Sequence, residues 1–392
     1  MQENDCRRLY RILSPVLFLA AIIFLTFLAR VIFAPLLVPI EEDFQLSHTE
    51  AGSFFLFISV GFCLAMLGSG FVSQKMTHRG TIFLSILASG LALLMIAFSA
   101  SLIAVRIGLT LLGMAAGLYF PSGLATITSL VDSEHWGKAI ALHETGPTMG
   151  FVLAPLLAEL GLNFTSWRGV LIILGIVCLI VAAVFVLFGR GGRFPGEPPH
   201  FSNLRRIFSQ SSFWIMAILL GMTAGASLGI YAILPIYLIS ERGMEQGLVN
   251  TIVGLSRVSG LVTVFLAGWL ADRLDAKFVM GSIYVLAGIL TGLLGLTQNT
   301  GLVIVVCVQP AIVNAFFPVA ILALSNISPS DTRNVVMSLM IPFVYLFGGG
   351  IVPACMGFLG DTYGFAIGFV LMGGLLLVSL SLLIFLRLRP GT

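Results

Sequence analysis

Four charged side chains stand where charge is expensive. Arg30, Arg106, Glu144 and Arg257 lie inside long apolar runs rather than in the polar breaks between them. A charge at bilayer depth costs about 2.5–3.5 kcal/mol on insertion scales, so each needs a cavity or a partner. Arg30 and Arg257 carry planar donor forks, which fit a carboxylate or another oxyanion. Arg257 is flanked by Gly254 and Gly260, which leave room beside it. Glu144 is the acid furthest inside a run. Balanced between desolvation and a nearby arginine, it is suited to take and release a proton. His143 precedes it, and imidazole titrates near neutrality without help. The alternative for Glu144 is a static salt bridge, and for His143 a packed, hydrogen-bonded ring. Tyr119, Tyr231, Asn314 and Tyr345 fall at mid-depth in their runs and can hydrogen-bond either a ligand or a neighbouring helix. Arg106 is a further cationic candidate.

The elements that hold these residues follow from composition. The chain has 392 residues, 58% hydrophobic and 9% charged, and a mean hydropathy of +1.08. A soluble domain carries roughly 25% charged residues, so the bilayer is the expected solvent. A soluble enzyme, a nucleic-acid-binding domain and a secreted disulfide scaffold are excluded together. Cys6, Cys63, Cys178, Cys307 and Cys355 are scattered, without CxxC spacing, and read as apolar packing residues. No Walker lysine, HExxH or nucleophile elbow is present, so neither an enzyme nor a cofactor is expected.

A helical span needs roughly 20 apolar residues. Twelve such runs fall at about 14–39, 50–73, 80–100, 102–130, 138–160, 169–189, 213–239, 247–270, 278–297, 301–326, 335–359 and 365–386. Arg7, Arg8 and Arg11 precede the first, but its length and Arg30 favour a retained span over a cleaved leader. Basic residues set the orientation. With the N-terminus inside, Lys75, Arg79, Lys138, Arg190, Arg193, Arg273, Lys277, Arg333, Arg387 and Arg389 fall inside, while the outer loops hold Arg168 and Arg242. Both termini are then expected to be cytoplasmic. The longest polar connection, Gly189 to Ser212, reads as a flexible linker. It divides an N-terminal bundle, 1–190, and a C-terminal bundle, 213–392, by the segment 191–212.

The halves repeat. Gly70 to Lys75 lies 198 residues before Gly268 to Arg273, and Ile32-Phe33-Ala34 lies 198 before Ile230-Tyr231-Ala232. Phe120-Pro121 lies 197 before Phe317-Pro318, and Gly150 and Pro155 lie 198 before Gly348 and Pro353. The stretch Gly268-Trp-Leu-Ala-Asp272-Arg273-Leu-Asp275-Ala-Lys277 resembles the loop motif of the major facilitator superfamily. Its first-half copy has Gln74 in place of the family's Asp and Thr77 in place of its Gly. Arg106 with Gly113 and Gly117, Glu134 to Ala139, Trp167-Arg168 and Asp331 to Arg333 are similar to further signatures of the same family, although Arg106 falls about a turn early.

The resemblance covers essentially the whole chain. It implies an all-α membrane protein with twelve transmembrane helices in two six-helix pseudo-repeats around a central cavity. It also implies that spans three, six, nine and twelve face lipid, and their cores carry no charged residue. Arg30 to Pro35, followed by Glu42-Asp43-Phe44 and Gly52, is similar to the anion:cation symporters, which carry an acid where this chain has Ala29. First-span and eighth-span arginines also resemble other anion-handling branches. Asp272, Arg273, Arg333, Lys75 and Arg79 are the residues the resemblance marks for an inner gate.

The reading is a secondary transporter of a small organic anion, a carboxylate above all, coupled to protons and working by alternating access. Arg30, Arg257, Tyr119, Tyr231, Asn314 and Tyr345 form its substrate set, and Glu144 with His143 its proton set. Gly146, Pro147 and Gly150 partly resemble an antiporter motif, so a drug or amphiphile:proton efflux antiporter is the alternative, with a transport-dead receptor as a third. The expected partners are the anion, protons and lipid, without nucleic acid. The expected setting is the bacterial cytoplasmic (inner) membrane, with the chain a monomer.

Overall fold

The computed structural model describes residues 3–197, 207–271, 273–327 and 333–386. The helices of the first half are α1 (Glu3–Val31), α2 (Phe33–Phe44), α3 (His48–Ala97), α4 (Leu102–Leu130), α5 (Trp136–Leu162) and α6 (Trp167–Phe188). Those of the second are α7 (Ser211–Ala224), α8 (Ile230–Ile236), α9 (Gln246–Ser256), α10 (Ser259–Ala271), α11 (Ala276–Leu296), α12 (Asn299–Asn314), α13 (Phe316–Ile327), α14 (Arg333–Leu346), α15 (Val352–Tyr363) and α16 (Phe365–Ser379).

Among the described residues, ten helices are long and apolar enough to cross a membrane. Spans two and three form the one helix α3, across a kink at Thr77 whose φ/ψ is non-helical. Span eight is broken into α9 and α10 at Arg257–Val258.

The break points have covalent causes. Pro35 has no N–H, so it cannot bond the carbonyl of Val31, and span one is interrupted at Ile32 between α1 and α2. Pro318 likewise releases the carbonyl of Asn314, and span ten is interrupted at Ala315. Span seven contains a π segment, Gly225–Gly229, and ends in another, Tyr237–Glu241. Span eleven contains a third, Phe347–Ile351, where Pro353 removes the donor for Gly349.

The chain divides into two compact units, Met1–Phe33 with Phe57–Pro199, and Ala34–Leu56 with His200–Thr392. The C-terminal end of span one and the start of span two therefore group with the second unit. In the first unit, α4 meets the span-two part of α3 at backbone contact. A Cβ on Gly113 would lie 2.0 Å from the Ile58 carbonyl oxygen, and one on Gly117 2.4 Å from that of Phe62.

The connection after α6 was expected to be flexible, and its first part is docked instead. The amides of His78 and Arg79 donate to the carbonyls of Phe194 (3.1 Å) and Gly192 (2.8 Å), and the Gly196 amide to that of Ser73 (3.1 Å). Gly191 and Gly192 adopt φ +82° and +68°, which lets the chain fold back onto the turn between spans two and three. The backbone of this connection thus pairs with two amides and a carbonyl of the turn between spans two and three.

Candidate functional site

The second unit builds a corner around Arg257. Its backbone sits in the break of span eight, where the Arg257, Val258 and Gly260 amides bond three residues back instead of four. The side chain is 2% exposed. Its Nη2 donates to the Ser227 carbonyl (3.2 Å), Nη1 approaches Ser227 Oγ (3.5 Å), and the guanidinium lies 4.7 Å over the Tyr231 ring. Ser227 Oγ in turn donates to Asn314 Oδ1 at 2.8 Å.

The π segment Gly225–Gly229 explains why this corner holds together. A π turn leaves carbonyls outside the regular ladder, and buried carbonyls need partners. Gln309 Nε2 donates to the Ala226 carbonyl (2.9 Å) and to Thr291 (3.2 Å), while Arg257 takes the Ser227 carbonyl. Arg257, Tyr231 and Asn314, named separately from the sequence, thus come together. Ser227 and Gln309 were missed, because an isolated serine or glutamine in an apolar run carries no signal beyond its polarity. Tyr345 lies two residues before the π segment Phe347–Ile351 and is half-buried.

The first unit builds a different arrangement. Arg30, in the last turn of α1, places its guanidinium 5.0 Å over Phe27 and 4.6 Å over Phe62 of span two. A half-buried cation over an aromatic face gains about 0.5–2 kcal/mol. Arg106 is half-buried, 5.7 Å from the Phe57 ring. Tyr119, grouped with the substrate residues in the sequence, is buried against α1 and α5. Its hydroxyl donates to the Leu19 carbonyl (2.7 Å) and contacts His143 Nε2 (3.0 Å), and the two rings are stacked. His143 Nδ1 then meets Glu144 Oε1 at 3.1 Å. The imidazole is fully buried, whereas the Glu144 side chain is 43% exposed.

Of the residues marked for an inner gate, Asp272 lies outside the described residues, and the side chain of Arg333, at the start of α14, is likewise not described. Arg273 is exposed, 4.3 Å over the Trp269 ring, and Lys75 is exposed. Arg79 closes the C-terminal end of α6. It donates to the carbonyls of Gly189, Val186 (3.0 Å) and Phe185 (3.4 Å), the contact expected of a cation at a helix C-terminus.

A set of helix caps escaped sequence reasoning. Ser47 and Glu50 form a reciprocal capping box at the start of α3, with amide-to-side-chain bonds of 3.2 Å each way. Asp361, at the end of α15, accepts from the amides of His48 (2.9 Å) and Thr49 (2.8 Å) and from the Thr49 hydroxyl (2.5 Å). Glu41 contacts His48 Nδ1 at 3.0 Å. Glu241 caps α16 through the Phe365 amide at 2.6 Å. The Ser-x-x-Glu spacing was readable in the sequence, but the Asp361 contact joins residues more than 300 apart.

Residues 19–309 and 245–392 match the Major Facilitator Superfamily. The chain belongs to that family. It is an integral, multi-pass membrane transporter and not an enzyme. Among curated relatives, it is 26% identical to the hexuronate transporter of Bacillus subtilis, over 95% of this chain and 93% of the relative. It is 23% identical to the D-galactonate transporter of Escherichia coli O6:H1, over 87% of each, and 22% identical to the cis,cis-muconate transport protein of Acinetobacter baylyi, over 85% and 84%. The fold matches that of a bacterial homolog of the human lysosomal transporter Spinster, with TM-score 0.83 and 16% identity over 96% and 97% of the two chains.

Proposed function

We propose that this chain carries a small organic anion, a carboxylate, across the membrane by alternating access, driven by protons. The observation that carries the reading is the Arg257 corner. A buried guanidinium, oriented by Ser227 and Tyr231 at a break in its own helix, is a costly feature that suits recognition of an oxyanion. The relatives named for hexuronate, D-galactonate and muconate point to the same ligand chemistry. Arg30 supplies a second cation, and Tyr345 and Arg106 are secondary members of the substrate set. Glu144 with His143 is the proton site. Asp272, Arg273, Arg333, Lys75 and Arg79 belong to the inner gate. We place the protein in the cytoplasmic membrane of a bacterium as a monomer, with both termini inside.

Two assays test this. In the first, purified protein is heated with a hexuronate, D-galactonate, cis,cis-muconate or a hydrophobic cation. A carboxylate should raise the unfolding temperature, since a ligand of the folded state stabilises it. Stabilisation by the cation alone would favour the efflux reading. In the second, proteoliposomes carrying Glu144→Gln should exchange the stabilising carboxylate across the membrane yet fail to accumulate it under an inward pH gradient. Full accumulation by that variant would remove Glu144 from coupling.

A further inference from the structure

We propose that His143 and Glu144 together hold one exchangeable proton, and that Tyr119 is the positioning residue that makes this obligatory. The argument is a count of hydrogens. A tyrosine hydroxyl has one proton to donate. Tyr119 Oη lies 2.7 Å from the Leu19 carbonyl oxygen, and two oxygens at that separation repel unless a hydrogen lies between them. The Tyr119 proton therefore points at Leu19. The 3.0 Å contact between Tyr119 Oη and His143 Nε2 must then be donated by the imidazole, so Nε2 carries a hydrogen.

That assignment fixes the other side of the ring. A neutral imidazole protonated at Nε2 presents a bare lone pair at Nδ1. Nδ1 faces Glu144 Oε1 at 3.1 Å. A lone pair against a carboxylate is repulsive, so the contact requires one more proton. It resides on Nδ1 as an imidazolium beside a carboxylate, or on Glu144 as a carboxylic acid donating to Nδ1. Both forms have the same total charge and proton count. The conformation described here is the proton-loaded one. On release, Nδ1 and the carboxylate repel, and Glu144, being partly exposed, is the side chain able to turn away.

His143 is buried on α5, and Pro147 leaves its backbone carbonyl without the usual helical donor. The described titratable groups on elements packed against α5 are Arg30 on α1, Arg106 and Tyr119 on α4, Arg168 and Cys178 on α6, and Glu134 and His135 in the preceding turn. Of these, Tyr119 is the one in contact with His143. The sequence offers His143-Glu144 as neighbours, which on a helix differ by about 100° in direction. The Tyr119–Leu19 bond makes them one unit. The inference extends the proton-coupled reading, yet the proton is measurable without transport.

The test uses the full-length protein in lipid nanodiscs with 15N-labelled histidine, and the His143 signals assigned by their loss in His143→Gln. At neutral pH, Nε2 should be protonated, and Nδ1 should share a proton with Glu144. Titrated upward, His143 and the Glu144 carboxyl stretch should change together, in one step of one proton. Tyr119→Phe frees the ring to place its single hydrogen on Nδ1 against the carboxylate, so the 15N signals should switch from an Nε2-protonated to an Nδ1-protonated ring. Glu144→Gln supplies an amide hydrogen to Nδ1, so the Nε2-protonated form should persist while the one-proton step disappears. A wild-type ring protonated at Nδ1 with a bare Nε2 overturns the proposal, and so does an Nε2-protonated ring retained in Tyr119→Phe. Correct tautomer and titration in a protein that shows no pH-driven uptake would leave the shared proton standing and overturn the coupling reading alone.

Discussion

The two halves of the repeat each lodge an arginine between their first and second spans, and they do so in opposite ways. In the first half the arginine is on span one, and Arg30 reaches the Phe62 ring of span two at 4.6 Å. In the second it is on span eight, and Arg257 reaches Tyr231 and Ser227 of span seven. The backbone differs as well. Spans four and five are unbroken helices, α4 and α5, whereas their repeat partners are interrupted at Ala315 and by the π segment Phe347–Ile351. In the first half side chains also bond one another, as in the Tyr119–His143–Glu144 chain, whose tyrosine donates to the Leu19 carbonyl. Irregular helices release carbonyls, and side chains such as Arg257 and Gln309 are held by them. One duplicated plan thus carries a buried histidine beside a carboxylate in one half and a buried arginine held by a backbone carbonyl in the other.

That comparison is broken most directly at the arginines. Arg257→Lys removes the planar fork that bonds Ser227 and stacks on Tyr231. It should weaken the stabilising carboxylate by about 2–3 kcal/mol, or roughly 30- to 150-fold in Kd. Arg30→Lys keeps a cation over two rings and should cost about tenfold, or ~1.4 kcal/mol. Thermal shift against carboxylate concentration reads both. Equal losses would mean that the halves contribute alike to the anion.

A smaller effect is expected at the caps. Asp361→Ala leaves the first amides of α3 without their acceptor and should lower thermal stability by about 1–2 kcal/mol. Because the Ser47–Glu50 box remains, α3 itself should still form. An unchanged melting temperature would show that the box alone satisfies that helix end.

The smallest effect compares one repeat position in two halves. Thr77 has φ 65°, ψ 163°, a region that essentially only glycine enters without strain. Its counterpart, 198 residues on, is Asp275, with φ −57° and a side chain accepting the Phe278 amide at 3.0 Å. Thr77→Gly should raise stability by about 0.5–1 kcal/mol, and Asp275→Ala should lower it by about 1 kcal/mol. Shifts of the same sign would show that the two turns are equivalent.

The glycine expected by the superfamily motif thus has a physical reason visible at Thr77. The sequence supplied the position and the missing residue type, while the dihedral angle supplied the cost. The same division runs through the candidate site. Arg257 and Arg30 were legible because charge inside an apolar run is expensive wherever it ends up. Arg79 was legible as a basic residue at a span end, but its bonds to the last carbonyls of α6 were not, since they join residues more than 100 apart. Glu41, His48 and Asp361 look like ordinary polar residues at span ends until the helix caps are seen.

The sequence by itself determined the solvent, the twelve apolar runs, the duplication and the few ionisable groups at depth. These are properties of local composition and of offset, and no folded contact is needed to read them. The tertiary structure decided which groups meet. It decided that Tyr119 turns to Leu19 and His143, that Ser227 orients Arg257, and that span eight breaks where its arginine stands. Hydrogen-bond partners of buried groups are chosen by geometry between helices, and helices far apart in sequence meet only once the chain has packed.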